Sequence, residues 1–127
     1  MKVGIKNQIK KTVVEELTAK VMGSGRLDVF ATPAMVAMME EAAHTSVEAE
    51  LEEGQGTVGI SMTVSHLAAT PVGMEVTCES ELVEVDGRKL VFEIKAMDEA
   101  GLIGEARHER FIIENEKFLA KTNAKLK

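Results

Sequence analysis

The sequence has one cysteine, Cys78, among its 127 residues. A single cysteine can form neither an internal disulfide nor a zinc cluster of cysteine ligands, so neither can hold the fold together. Tryptophan and tyrosine are absent and phenylalanine occurs four times, which leaves little for the aromatic stacking platforms of single-strand binders. The formal net charge of −6 would also repel a phosphate backbone. The composition therefore argues against a nucleic-acid partner.

Long apolar runs are also missing, although 45% of the residues are hydrophobic. No stretch of 18 consecutive apolar residues occurs, and the charged segment Met1–Lys6 has no apolar signal region behind it. We therefore expect no membrane association and a cytoplasmic location. A chain of 127 residues is typical of one compact domain. We expect residues 1–127 to form it, with a basic C-terminal tail at about 117–127 that is either a short helix or frayed.

The dipeptide Thr32-Pro33 marks the start of a helix. Threonine can cap the helix with its hydroxyl, and proline fits the first helical position because its missing N–H would have been unpaired there. The segment from Ala34 to about Leu51 is rich in helix formers, and Gly54 is placed to end it. Its first two turns are apolar almost all round, which is typical of a helix buried on every side.

Five segments alternate like β-strands, one in the first 20 residues and four after the helix. Asp86-Gly87 predicts a tight hairpin, and Glu99-Ala100-Gly101 a second turn. One helix cannot cover a flat five-stranded sheet, so a curved sheet wrapped around the helix buries both. This arrangement is the α+β hot-dog fold, a long buried helix wrapped by a curved antiparallel sheet of about five strands. The four later strands are predicted over 57–66, 74–85, 89–98 and 102–114.

Three polar residues and a glycine are candidates for a functional site. Glu40 lies in the most apolar stretch of the helix, where a carboxylate is costly unless it is used or satisfied by a backbone N–H or a dimer partner. His66 ends a strand and could carry protons near neutral pH, although a lone histidine is more often a packed residue. Thr32 lies at the positive end of the helix, where an oxyanion could develop, but a helix cap explains it fully. Gly59 either admits a thioester closely or marks a β-bulge.

Several segments resemble the fluoroacetyl-CoA thioesterase family, and the spacing from threonine to glutamate to histidine is kept. The resemblance implies a homodimeric hot-dog thioesterase with Thr32, Glu40 and His66 as its catalytic set and no metal or redox cofactor. It makes His66 the general base, Glu40 the carboxylate that either attacks the thioester or activates water, and Thr32 the group that orients the carboxylate or the nucleophile. It also places Gly59 near the thioester carbonyl. The resemblance covers roughly 13–121 and is carried by 29–40, 64–73, 81–88, 107–111 and 116–118.

The segment ahead of Thr32 departs from the fluoroacetyl specialist. That enzyme, by resemblance, has aromatic residues in a lid, whereas Gly23–Asp28 contains none and only Phe30 remains as an aromatic contact for substrate. This favours an acyl-CoA thioesterase for an ordinary short or medium acyl group. A non-catalytic acyl-CoA binding or sensing module on the same fold is the alternative, and a dehydratase or isomerase ranks last. Retention of all three polar positions favours the enzyme, and the long sheet edge favours a homodimer.

Overall fold

The computed structural model describes residues 1–126. Five strands form one antiparallel sheet in the order β1-β3-β4-β5-β2. The helix of greatest length follows β1 and precedes the other four strands, so the predicted α+β arrangement is confirmed. The strands are β1 (Lys6–Thr12), β2 (Gln55–His66), β3 (Glu75–Asp86), β4 (Lys89–Asp98) and β5 (Gly101–Glu114), and the helices are α1 (Ala19–Met22), α2 (Thr32–Ser46) and α3 (Asn115–Asn123).

Helix α2 lies against one face of the sheet and forms the centre of the core. Its contacts are mainly with β3, β1 and β4. Met35, Met38 and Met39 are each at most 2% exposed, and burying a side chain of this size contributes about 1.5–3 kcal/mol. Flexible thioether chains fill the irregular space between a helix and a twisted sheet, so these methionines serve the core.

The start of α2 differs from the prediction. Thr32 is the first helical residue and Pro33 the second, and the cap position belongs to Ala31, which has no side-chain capping bond. The prediction of Thr32 as the cap is therefore wrong. The position where α2 begins is fixed by burial instead. Phe30 and Ala31 are 2% and 0% exposed, and the Ala31 N–H donates to the Leu17 carbonyl at 2.9 Å. The Thr32 hydroxyl is consequently available to another partner.

Helix α2 also ends earlier than predicted, at Ser46 rather than at about Leu51. Thr45 and Ser46 donate their hydroxyls to backbone carbonyls one turn back, both at 2.6 Å, and such bonds compete with the helical ladder. A single 3-10 turn, Glu48–Glu50, follows. Gly54 has a φ of 84° and lies in the turn before β2 rather than at the helix end.

The four later strands follow their predicted segments within about two residues, and β1 lies within the first 20 residues as expected. Asp86 pairs with Lys89 across the two-residue hairpin, and Gly87 adopts the positive φ of 61° that such a turn favours. The basic C-terminal segment forms α3 and a 3-10 turn, Ala124–Leu126, so the short helix is the correct alternative as far as residue 126, and Lys127 lies outside the described residues. None of the described helices is long and apolar enough to cross a membrane.

Candidate active site

Thr32 and His66 meet at the point where α2 begins and β2 ends. The Thr32 Oγ1 lies 2.7 Å from Nδ1 of His66, which is a short hydrogen bond between side chains 34 positions apart in sequence. Two of the three predicted catalytic residues are thus brought together. Because Thr32 is in the first turn of α2, both groups lie at the positive end of the helix, where a developing negative charge is stabilised.

A cavity of about 320 Å³ opens beside this pair. Its size is at the lower end of the range for small-molecule sites. Phe30, predicted to contact substrate, is part of its wall, and the rest comes from α1, the following loop and the segment after β2. The lining residues are Ala19, Ser24, Val29, Phe30, Thr32, His66, Leu67, Ala68 and Ala69.

The environment of His66 favours the neutral imidazole. Burial lowers the pKa of His66 from its ordinary value, and the Ala68 backbone offsets this effect in part. Its Nε2 is buried and forms no hydrogen bond with any of residues 1–126. A neutral ring with a hydroxyl on one nitrogen can accept a proton near neutral pH.

Glu40 lies elsewhere in the same chain. It follows Thr32 by eight helical positions, which places it roughly 12 Å further along the axis at 1.5 Å per residue. Its Oε2 lies 3.3 Å from Nη1 of Arg110 and 3.9 Å from Nε2 of His108. Within residues 1–126 it makes no hydrogen bond to Thr32 or His66, so the joint catalytic role of the three residues stays a prediction.

Arg110 and His108 are functional candidates that the sequence analysis missed. They are 7% and 1% exposed, and Arg110 is held by Thr57, whose Oγ1 and carbonyl oxygen accept from Nε and Nη2 at 2.9 and 3.0 Å. Burial lowers the pKa of Arg110, while Glu40 raises it. The alternation of β5 could have indicated both residues, since they share its inner face with Ala106 and Ile112 while the intervening side chains are more exposed.

Gly59 faces Glu40 and lies at a β-bulge. The register of β2 against β5 shifts between Gly59 and Ser61. A side-chain Cβ at Gly59 would lie 3.0 Å from Oε2 of Glu40 and 3.3 Å from Nη1 of Arg110, which is tighter than ordinary contacts. The β-bulge explanation is therefore confirmed, whereas contact of Gly59 with the thioester stays a prediction.

The outer face of the sheet carries a larger concavity of about 1070 Å³. Its walls are charged and polar side chains from all five strands, among them Lys6, Glu81, Glu93 and Arg107. These stand side by side in register across the sheet, as in a solvated face of mixed charge. It contains neither Thr32 nor His66, so the smaller cavity is the candidate site. Among residues 1–126, no three His, Cys, Asp or Glu side chains are grouped closely enough to hold a metal ion.

Solved structures with the same architecture define the class. The chain matches the fluoroacetyl-CoA thioesterase FlK with a TM-score of 0.92 and 37% identity, over 98% of this chain and 97% of that one. It matches a thioesterase superfamily member from Thermus thermophilus with a TM-score of 0.88 and 29% identity, over 95% and 90% of the two chains. The α+β hot-dog fold predicted from the sequence is thus confirmed, and the protein is a hot-dog thioesterase.

The family is narrower than that class. A sequence model described as fluoroacetyl-CoA-specific thioesterase matches residues 13–116. The fluoroacetyl-CoA thioesterase of Streptantibioticus cattleyicolor is 44% identical over 98 residues, which are 77% of this chain and 70% of that protein. The chain belongs to the fluoroacetyl-CoA-specific thioesterase family, as the resemblance in sequence implied, and is an acyl-CoA thioester hydrolase.

Proposed function

We propose that this protein hydrolyses a short or medium acyl-CoA thioester to the free acid and CoA, as a homodimer in the cytoplasm. Each active site combines Thr32 and His66 of one protomer with Glu40 of the other. The observation that carries the proposal is the 2.7 Å contact between Thr32 Oγ1 and His66 Nδ1 at the start of α2. A hydroxyl paired with a neutral imidazole is the arrangement that activates a nucleophile.

The cavity beside Thr32 supports a small acyl group. Its volume of about 320 Å³ leaves little room for a long chain, and Phe30 gives it an apolar wall. The segment Gly23–Asp28 ahead of it contributes no aromatic side chain, which argues for an ordinary acyl group rather than a fluorinated one. Variants of the relative FlK have been crystallised with fluoroacetate and CoA and with acetyl-CoA.

The chemistry divides into two displacements, with the roles of two residues exchanged from those that the resemblance implied: Thr32, which contacts His66, attacks, and Glu40 orients the imidazole. In the first, His66 takes the hydroxyl proton of Thr32 as Oγ1 attacks the thioester carbonyl carbon, and the N-terminus of α2 stabilises the oxyanion. The C–S bond breaks, and CoA leaves as a thiol with the proton from His66. In the second, His66 takes a proton from water, the resulting hydroxide attacks the acyl-threonine ester, and Thr32 regains its proton as the acid departs. The cycle consumes water alone and calls for no metal or redox cofactor.

A second protomer supplies the carboxylate. Strand β2 lies at an edge of the sheet, and its bulged residue Ile60 is 51% exposed, as expected of an edge that another strand covers. Gly59 and His66 are separated along β2 by about 23 Å at 3.3 Å per residue. Antiparallel pairing of two β2 strands about Met62 and Thr63 therefore sets His66 of one protomer beside Gly59 and Glu40 of the other.

Two unpaired atoms suit this completion. Nε2 of His66 has no hydrogen bond among residues 1–126 and is covered by its own chain, so a rotation of the ring must expose it to the second protomer. The single hydrogen bond of Glu40 to Arg110 uses Oε2, which leaves Oε1 without a hydrogen bond among residues 1–126. A carboxylate on the second imidazole nitrogen would hold the ring and stabilise its charged form, the third role of a hydroxyl, histidine and acid triad.

A thiol-release assay across short, medium, branched, aromatic and fluorinated acyl-CoAs tests the activity and its acyl preference. We expect CoA release to be fastest with an unfluorinated short or medium chain. Tight binding of acyl-CoA with no release of thiol would contradict the proposal and favour the binding or sensing module. A preference for fluoroacetyl-CoA over acetyl-CoA would contradict the substrate class while leaving the thioesterase intact.

Light scattering tests the assembly. We expect a mass near twice the 13.8 kDa of one chain at micromolar concentration. A mass near that of a single chain, with full activity retained, would contradict a site shared between protomers.

A further inference from the structure

A buried histidine that the mechanism above does not use lies next to Glu40. His108 on β5 is 1% exposed, and its ring centroid lies 6.3 Å from that of Phe92. Unpaired polar atoms are costly at such a position, and both ring nitrogens have partners. Nδ1 lies 2.8 Å from the Ser61 carbonyl oxygen, and Nε2 lies 3.1 Å from Nη1 of Arg110.

These two partners fix the protonation state of the ring. A carbonyl oxygen can only accept, so Nδ1 of His108 carries the proton, and a guanidinium can only donate, so Nε2 offers its lone pair. The ring is therefore neutral, and its 3.9 Å separation from Oε2 of Glu40 is not an ion pair. Burial lowers the pKa of His108, and the charge of Arg110 lowers it further. The hydrogen bond to the Ser61 carbonyl and the charge of Glu40 raise it.

The lone pair of His108 also determines where Arg110 points. Nη1 has two hydrogens to donate, and Nη1 lies 3.1 Å from His108 Nε2 and 3.3 Å from Glu40 Oε2. Thr57 holds the other side of the guanidinium through Nε and Nη2. If His108 could not accept, one buried N–H would lose its partner, and the guanidinium would turn to satisfy it at the expense of Glu40.

We propose that His108 is a positioning residue for thioester hydrolysis. Its Nε2 lone pair holds Arg110 in the orientation that binds Oε2 of Glu40, and this leaves Oε1 directed toward the reacting groups. The inference rests on the proposed use of Glu40 in the reaction. In its neutral Nδ1–H form, His108 thus aligns the Glu40 carboxylate through Arg110, without binding the carboxylate itself.

Two substitutions separate this role from simple packing. His108→Leu keeps an apolar side chain against Phe92 but cannot accept from Arg110, whereas His108→Gln offers a carbonyl oxygen in place of the lone pair. We expect His108→Leu to lower kcat about tenfold through the misplaced carboxylate, with a smaller change in KM, and His108→Gln to recover most of the loss. The control is His44→Leu, on the half-exposed His44, with no change in kcat.

Equal kcat for the wild type and His108→Leu would overturn the inference, as would a His108→Gln variant no better than His108→Leu. If the Leu variant does not fold, two tests remain: kcat of His108→Gln against the wild type, and a spectroscopic measurement on the wild type. Nitrogen-15 correlation spectra of the imidazoles near pH 7 should show His108 as the neutral Nδ1–H tautomer, and this signal should change in an Arg110→Lys variant. An Nε2–H tautomer or a charged ring would overturn the inference even in a protein with full activity. A wild type with no thioesterase activity would instead defeat the proposed function, and the spectra would still report the contact between His108 and Arg110.

Discussion

The two ends of the α2–β2 pair differ in the kind of chemistry they hold. Where α2 begins, Thr32 and His66 form a short neutral hydrogen bond beside a small cavity. Two turns further on, Glu40 and Arg110 form a half-buried ion pair that packs against Gly59 of β2, where a side chain would not fit. In the proposed mechanism the first end supplies a nucleophile and a base, and the second supplies the carboxylate that orients them. Each end supplies what the other lacks, which is the physical reason to expect two protomers in one site.

The largest expected effect is at the neutral end. His66→Ala should lower kcat by about 10²-fold or more, the usual scale for loss of a positioned base, with a small change in KM. Steady-state kinetics on the best substrate of the panel measure it. His44→Ala is the matched control, because His44 pairs with Glu48 on the surface and should leave the rate unchanged. An unchanged kcat in His66→Ala would remove this residue from the mechanism.

Glu40→Gln tests the charged end. The amide keeps the shape of the side chain and can still accept from Arg110, but it loses the negative charge that would stabilise a charged imidazole. We expect kcat to fall by about 10²-fold, while the neighbouring Glu41→Gln, which breaks a surface ion pair with Lys11, leaves it unchanged. Comparable losses in both variants would mean that Glu40 acts through general surface charge and not in the site.

Substitutions of Thr32 should affect activity much more than stability. Thr32→Ser should keep much of the activity and Thr32→Ala should lose it, since the hydroxyl and not the methyl is required. Thr32 is not the cap, so Thr32→Ala should lower the free energy of unfolding only by the loss of its hydrogen bond to His66, about 0.5–1.5 kcal/mol, a loss that Thr32→Ser should avoid. Chemical denaturation beside the kinetics checks both. A Thr32→Ala protein that is folded and fully active would leave Thr32 without a catalytic role.

The pH dependence of the rate should follow the titration of His66. The rate should rise with pH as His66 loses its proton. Burial lowers the pKa of His66, whereas the partner's carboxylate in the proposed site would raise it, so Glu40→Gln should move the midpoint to lower pH. The profile of kcat/KM against pH measures it. A flat profile, or one that His66→Ala does not alter, would contradict the assignment.

The same shift affects stability in a defined direction. Because the pKa values of His66 and His108 are lowered in the folded protein, the unfolded chain takes up protons first as the pH falls below about 6.5. The free energy of unfolding should therefore fall as the pH drops below about 6.5, and above that pH it should not depend on these two groups. Thermal melts between pH 5 and 7 should show His66→Ala to be less acid-sensitive than the wild type.

The two ends were not equally predictable from the sequence. The order of helix and strands follows from alternation and turn residues, and a histidine at a strand end is a local feature, so His66 could be nominated by pattern. Its contact with Thr32 could not be deduced from pattern, because it depends on how the sheet curves around α2. The contact between Glu40 and Arg110 joins residues 70 positions apart, and nothing local to Arg110 indicates its partner. Capping rules likewise failed at Thr32 because tertiary burial of Ala31 fixed the helix start.

The most direct test of a shared site is a hybrid dimer. One protomer carries His66→Ala and the other Glu40→Gln, with a different affinity tag on each so that the hybrid can be purified. If Thr32 and His66 of one protomer act with Glu40 of the other, the hybrid contains one intact site, and we predict about half the wild-type rate per dimer, although each parent homodimer is slower by about 10²-fold. If all three residues act within one protomer, the hybrid has no intact site, and a rate no higher than that of the parents would contradict the account.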